Sequence, residues 1–210
     1  MNRCVIISGG ELGNPAFYKT VLRCEDFLIC ADRGLQYALQ LGLTPDLAVG
    51  DFDSYSLPKN PSHEIIRLPA VKDDTDTVYA IREAISRGFT DILLLAALGG
   101  RTDHFIANIQ SMLIAAKQGC SISMEDESQR IFLLPENSSR IISADYGKTF
   151  SLLALSQTVA GVCVDGAKYC LENAKLTFDY PLGISNEILD QTAKISVKSG
   201  YLLLICNRNI

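Results

Sequence analysis

Hydrophobic and polar positions follow two different patterns along the chain, and the change comes near residue 120. Before it, short apolar runs at 4–8, 27–31, 47–49, 64–68 and 91–97 read as strands. Several are apolar at every position, as strands buried on both faces require. Between them, 15–22, 34–41, 75–87 and 104–117 carry apolar residues at helical spacing, and Gly42, Gly88 and Gly119 sit where helix C-caps belong. Strand and helix in alternation predict a three-layer α/β domain with a mainly parallel sheet covered on both faces. After the change, short stretches at 121–124, 130–134, 149–155, 161–164, 175–178, 193–197 and 201–206 often alternate and are separated by turn signals such as Asp165-Gly166 and Ser199-Gly200. These predict an all-β sandwich. The least regular stretch, 135–139, is the expected seam, giving domains 1–135 and 136–210.

Charge narrows the partners. The 210 residues carry 24 acidic and 19 basic side chains, a formal net charge of -5 without long runs of one sign, which argues against a surface for a nucleic-acid backbone. Seven cysteines with no C-x-x-C spacing read as reduced thiols that mostly pack. The apolar run at the start is too short for a signal-peptide core, and the longest later run, 92–98, is far below the roughly 20 residues that cross a bilayer. The expected setting is the cytoplasm, with no membrane partner.

The acidic residues of the first half collect just after predicted strands. Asp46, Asp51 and Asp53 lie in one segment, where the i, i+2 spacing of Asp51 and Asp53 aims both carboxylates to one side if the chain is extended. Lys72-Asp73-Asp74-Thr75-Asp76 follows the strand ending at 68 and opens a helix. Gly99-Gly100-Arg101-Thr102-Asp103-His104 follows the most hydrophobic strand and opens another. In a parallel sheet the carboxyl ends of the strands share one edge, so clusters far apart in sequence converge on one crevice. Carboxylates so crowded repel, and a hard divalent ion with oxygen ligands removes that cost beside a nucleotide phosphate; Mg2+ is the natural candidate.

Each piece has a plainer use. Asp73, Asp74 and Asp103 are what helix starts and turns select, whereas a pair flanking an aromatic, as in Asp51-Phe52-Asp53, exceeds what a cap needs. Arg101 either offsets Asp103 or meets a phosphate, and Lys72 is either a solvated charge or a phosphate ligand. Gly9 and Gly10 either bring backbone N–H groups to a phosphate or make a tight turn. Neither G-x-G-x-x-G nor a P-loop is present, no His pair has metal-ligand spacing, and no G-x-S-x-G elbow appears.

Taken in order, Ala31-Asp32-Arg33-Gly34, Pro45-Asp46 leading to Gly50-Asp51-Phe52-Asp53-Ser54, Lys72 to Asp76, and Gly99 to His104 resemble the thiamine pyrophosphokinase family. Gly161 to Gly166, Tyr169 through Leu182 and Gly183-Ile184-Ser185-Asn186-Glu187 echo the family's β-domain. The resemblance implies transfer of the diphosphate of ATP to the hydroxyl of thiamine. It further implies a homodimer whose sites lie between the α/β domain of one subunit and the sandwich of the other. Asp51, Asp53 and Asp76 match the family's magnesium ligands; Asp73, Thr75, Arg101 and Asp103 match positions around the phosphates and the reacting hydroxyl. Gly9, Gly10, Asp32, Arg33, Lys72 and Gly100 fall on the nucleotide side, and Ser185 and Asn186 match the segment that meets the thiamine pyrimidine. Arg33 departs from the pattern, standing where many relatives carry a second glycine. Two other classes compete on the residues alone: a magnesium-dependent nucleotide hydrolase, and a non-catalytic nucleotide or vitamin sensor.

Overall fold

The computed structural model describes residues 3–52 and 62–208, so the expected ligand Asp53 lies outside the described residues. The contacts of the chain divide it into two units, Met1–Glu127 and Ser128–Ile210. The division falls ahead of the 135/136 seam because the strand Gln129–Leu134 pairs along its whole length with the last strand of the second unit.

In the first unit, strands β1 (Cys4–Ile7), β2 (Phe27–Ala31), β3 (Leu47–Gly50), β4 (Glu64–Arg67), β5 (Asp91–Leu95) and β6 (Ser121–Glu125) form a parallel array in the order β6-β5-β1-β2-β3-β4. Helices α1 (Pro15–Val21), α2 (Gly34–Gln40), α3 (Asp76–Ser86) and α4 (Thr102–Lys117) connect them. Alternation along the strands supplies both faces. Val5, Ile7, Leu28, Cys30, Leu93 and Leu95 pack with Phe17 and Tyr18 of α1 and Leu35 and Ala38 of α2. The intervening Cys4, Ile6, Ile29 and Leu94, also fully buried, point the other way, where α3 contacts β1, β2 and β3. The chain winds outward from β1 to β4, then returns to lay β5 on the opposite side of β1. That reversal places a switch point between β1 and β5, where open α/β sheets leave a crevice at the strands' carboxyl ends.

The second unit is a sandwich of antiparallel strands. Strands β7 (Gln129–Leu134), β9 (Thr149–Ala154), β12 (Gly183–Glu187) and β14 (Leu202–Asn207) run in the order β12-β9-β14-β7. Strands β8 (Ser138–Ser143), β10 (Thr158–Asp165), β11 (Leu171–Thr177) and β13 (Thr192–Val197) run in the order β11-β10-β13-β8. Phe132, Phe150, Leu152, Leu202 and Leu204 from the first set meet Ile142, Val162, Val164, Leu176 and Ile195 from the second in one core. The expected irregular stretch 135–139 is corrected at its end: Ser138 and Ser139 begin β8, paired with Val197 and Ser196. All seven cysteines are free, with Cys4, Cys30, Cys120 and Cys206 buried.

Candidate active site

A cavity of about 960 Å³ opens at the carboxyl ends of β1, β2 and β5, at the switch point. The loop after β1 contributes Ser8, Gly9, Gly10 and Glu11; the turn after β2 contributes Asp32 and Arg33; the N-cap and first turn of α3 contribute Thr75, Asp76 and Thr77; and the loop into α4 with its first turn contributes Gly99, Gly100, Arg101 and Asp103. Nine of the expected site residues thus share one wall: Gly9, Gly10, Asp32, Arg33, Thr75, Asp76, Gly100, Arg101 and Asp103.

The local backbone explains how the loops come so close. Gly10 donates its N–H to Ala96 O at 2.8 Å, and a Cβ on Gly10 would lie 2.6 Å from that same oxygen. The Gly10 N–H is thus already engaged rather than offered to a phosphate, and the glycine serves the close approach of two loops, a use beyond the phosphate cradle and the tight turn expected of it. Gly34, at the start of α2, is closer still: a Cβ there would fall 1.9 Å from Ile7 O. Asp32 (φ 47), Phe52 (φ 52) and Ala96 (φ 48), each just past a strand end, take the left-handed conformation that side chains other than glycine's seldom adopt. Such strain concentrates where function fixes a turn.

The same conformation corrects the expected geometry of Asp51-Phe52-Asp53. The segment is not extended at Phe52. The chain turns left-handed there, so that Phe52 packs into the core at 7% exposure and the carboxylate of Asp51 stays at the strand end. Asp51 is nevertheless joined to the second acidic cluster. Lys72 Nζ lies 2.8 Å from Asp51 Oδ2 and 3.0 Å from Asp76 Oδ1; the first contact is an aligned hydrogen bond, the second an ion-pair contact without that alignment. The two carboxylates can therefore be no farther apart than those two distances together. Of the two uses open to Lys72 on sequence, the solvated charge is not the one it has, since its side chain is only 9% exposed. Burial pulls its pKa down, but the hydrogen bond to Asp51 and the close negative charges of Asp51 and Asp76 outweigh it and leave the ammonium above the usual lysine value.

The other acidic residues have separate roles. Thr75 caps α3, its Oγ1 accepting from Val78 N at 3.3 Å, and Asp76 stands in the first turn, where the helix dipole favours a negative charge. Asp74 pairs with Arg82 at 3.1 Å. Asp73 is exposed and does not line the cavity. Arg101 and Asp103 form a forked pair, with Nη2 to Oδ2 at 2.6 Å and Nε to Oδ1 at 3.1 Å. This hydrogen-bonded Arg101, helped by the backbone N–H of His104, pushes the Asp103 carboxyl down to about 2. A lowered value means that the contribution of the pair is present above the ordinary 3.8 and is lost as pH falls towards about 2. In a carbon-detected NMR titration Asp103 should have its midpoint near pH 2, and in Arg101→Gln it should return towards 3.8; an ordinary midpoint in the unmodified protein would show that the pair is not formed in solution.

Several cavity residues were not among those expected from the sequence. Glu11, Thr77, Tyr37 and Asn108 line the site, and Tyr37 OH donates to Gly10 O at 2.8 Å. Asn108 is the one with a readable trace: a polar residue on the buried stripe of α4, donating Nδ2 to Ala97 O at 2.9 Å. In the second unit, Ser185 is exposed at φ 58, and its N–H donates to Ser151 Oγ at 3.1 Å. Asn186 is buried and spends its amide on the backbone. Its Oδ1 accepts from Tyr169 N and Glu187 N, and its Nδ2 donates to Tyr169 O at 2.8 Å. Asn186 therefore fixes the segment around Tyr169 while Ser185 faces outward.

The donors suit a hard divalent cation. Two carboxylates from different elements already converge on one positive group, and oxygen-only ligands are what Mg2+ takes. Among the described residues no set of three or more His, Cys, Asp or Glu side chains closes around a metal.

Comparison with known proteins agrees with this arrangement. The catalytic-domain profile of thiamin pyrophosphokinases matches residues 18–124, and the vitamin B1 binding-domain profile matches 138–202. The thiamine pyrophosphokinase of Bacillus subtilis is 29% identical over 182 residues, 84% of this chain and 85% of that protein. The crystal structure of the Bacillus subtilis enzyme covers 100% of both chains with a TM-score of 0.87 at 25% identity. That of Geobacillus thermodenitrificans thiamin pyrophosphokinase gives 0.83 at 27%, covering 99% of this chain and 98% of that one. With the acidic crevice at the switch point in one unit, the sandwich in the other and both profiles matched in that order, the chain belongs to the thiamin pyrophosphokinase family.

Proposed function

We propose that the crevice of the first unit is where the family's reaction takes place, with Asp51 and Asp76 as ligands of a Mg2+ ion and the triphosphate of ATP along the Gly9, Arg33 and Arg101 wall. The reaction of the family joins the thiamine hydroxyl to the diphosphate of ATP and releases AMP. The observation that carries the assignment is the meeting of Asp51 and Asp76 on the one ammonium of Lys72, with Asp76 itself lining a cavity large enough for a nucleotide. Asp53, outside the described residues, belongs to the same proposed ligand set.

Glu11, Asp32, Asp76 and Asp103 make the lining acidic, with Arg33 and Arg101 as its counter-charges. Such a lining attracts the cationic thiazolium of thiamine but repels a bare triphosphate, so nucleotide binding calls for added positive charge. When bound, the ion neutralises charge on the phosphate oxygens and fixes their geometry for in-line displacement. The chain's own groups do the rest. The guanidinium of Arg101 has the forked geometry that suits a phosphate. In turning to one it releases Asp103, whose pKa then rises from about 2 and makes it a competent proton acceptor. The hydroxyl oxygen bonds to the β-phosphorus, the bond from that phosphorus to the oxygen bridging to the α-phosphorus breaks, AMP leaves with that oxygen, and the hydroxyl proton passes to Asp103. Asp73, which the resemblance also places near the reacting hydroxyl and which would be the other carboxylate to take that proton, does not line the cavity.

Ser185 is the proposed pyrimidine contact of the second unit, held in register by the neighbouring Asn186 clamp. The homodimer belongs to the same proposal. Tyr169, Phe178, Tyr180, Leu182, Ile184 and Leu189 all stand exposed on the second unit, and covering them is what an interface would do. A cytoplasmic setting is likewise proposed; among the described residues no helix is long and apolar enough to cross a membrane.

Incubation with ATP, Mg2+ and thiamine should yield AMP and thiamine diphosphate in equal amounts. AMP formed equally well without thiamine would point to a hydrolase, and no turnover at all to a sensor.

A further inference from the structure

We propose that the Lys72 ammonium is a built-in stand-in for the divalent ion: it holds Asp51 and Asp76 together in the metal-free protein, and the ion must displace it. The inference rests on the reading of these two carboxylates as metal ligands. It goes beyond that reading in giving Lys72 a role opposed to metal binding rather than one confined to phosphate.

Three observations carry it. One Nζ touches a carboxylate oxygen of each aspartate, at 2.8 and 3.0 Å, so the ammonium occupies the gap in which an ion shared by those oxygens would have to sit. The contact is not a passing surface pair. Lysine heads normally reach for water, yet this side chain is 9% exposed and the carboxylates only 18% and 23%. Nor does helix geometry impose it. Lys72 precedes Asp76 by four residues, but α3 begins at Asp76, so the ammonium is brought back by the fold of the intervening loop.

The arrangement has a functional consequence. Asp51 follows β3 and Asp76 opens α3, so without a positive charge between them the end of a strand and the start of a helix would repel. Lys72 removes that repulsion while the ion is absent. On displacement the ammonium is released beside Asp76, a lining residue of the cavity, where phosphate oxygens are the available acceptors. Metal entry and triphosphate capture are thereby coupled through one side chain, and metal affinity in the absence of nucleotide is lower than two free carboxylates would give.

The test uses the full chain without nucleotide, with Mn2+ as probe and free Mn2+ read by electron paramagnetic resonance. Lys72→Gln should bind Mn2+ at least about tenfold more tightly than the unmodified protein, because a competing charge in contact with the ligands is gone, whereas Lys72→Arg should show no gain. In chelator Lys72→Gln should melt below the unmodified protein, with added Mn2+ closing the gap. Equal or weaker Mn2+ binding by Lys72→Gln, with the unmodified protein binding normally, overturns the proposal and leaves the metal assignment standing. Failure of both proteins to bind Mn2+ overturns the metal assignment and this inference with it. Should Lys72→Gln not fold, the side-chain NMR signal of Lys72 in the unmodified protein decides: Mg2+ should move it to the position of a solvated ammonium, and an unmoved signal at saturating Mg2+ overturns the proposal.

Discussion

Asp76→Asn is expected to lower diphosphate transfer by about a thousandfold while leaving the fold intact, since an electrostatic contact made at the reacting phosphates is typically of that size. The substitution keeps the shape of the side chain and its place in the first turn of α3, and Thr75 still caps the helix. What it removes is one of the two carboxylates that meet on Lys72, leaving Asp51 with the ammonium to itself at 2.8 Å. The loss should appear in kcat at saturating ATP and thiamine, and excess Mg2+ should recover only part of it. Circular dichroism and the melting curve should stay close to those of the unmodified protein. A fall of only a few-fold would mean that Asp76 is a helix-start residue and nothing more, the reading that a sensor protein requires.

A large effect on stability is expected at Gly34. An added Cβ would lie 1.9 Å from Ile7 O, 2.7 Å from Ile7 C and 3.2 Å from Ser8 O, all of them backbone atoms that no rotamer change can move aside. Gly34→Ala must therefore push the start of α2 away from the end of β1. Leu35, Tyr37 and Ala38 are buried through that contact, and Tyr37 OH holds Gly10 O. Overpacking against a rigid neighbour costs up to about 3 kcal/mol, and this contact belongs at the upper end, which corresponds to a fall in Tm of roughly 10 °C. Because Gly9, Gly10 and Arg33 border the same seam, the KM for ATP should rise in whatever protein remains folded. A Tm within roughly 2 °C of the unmodified protein would show that the β1–α2 junction is looser than described.

Much of the fold was legible because the first half writes its periodicities plainly. Ile92 to Leu95 is apolar and buried at every position along β5, and α3 keeps Thr77, Ala80, Ile81 and Ala84 on one buried stripe. The sandwich was harder. Strand β8 begins with two serines that resemble a turn, and its pairing with β13 comes from backbone bonds that hydropathy does not record. Strand β12 is exposed at three of its five positions and its pairing with β9 shifts register between Gly183 and Asn186, so neither burial nor alternation marks it.

At the site, convergence of the clusters followed from sheet topology alone, which any parallel arrangement imposes. Distances and partners did not follow. That Phe52 turns left-handed into the core, that Lys72 folds back between two aspartates, and that Asn186 is occupied by the backbone around Tyr169 are consequences of loop paths. Spacing along a chain cannot encode a loop path. Arg101 and Asp103 are a partial exception: two residues apart and opposite in charge, their pairing was one of the two uses open to Arg101, and they do pair.

The most direct test of the central claim, that Asp51 and Asp76 act together as the seat of a divalent ion, is Mn2+ binding to the unmodified protein and to Asp76→Asn, compared at equal concentration without nucleotide. Binding to the first that is lost or weakened by at least about tenfold in the second is the predicted result. Indistinguishable binding isotherms would contradict it.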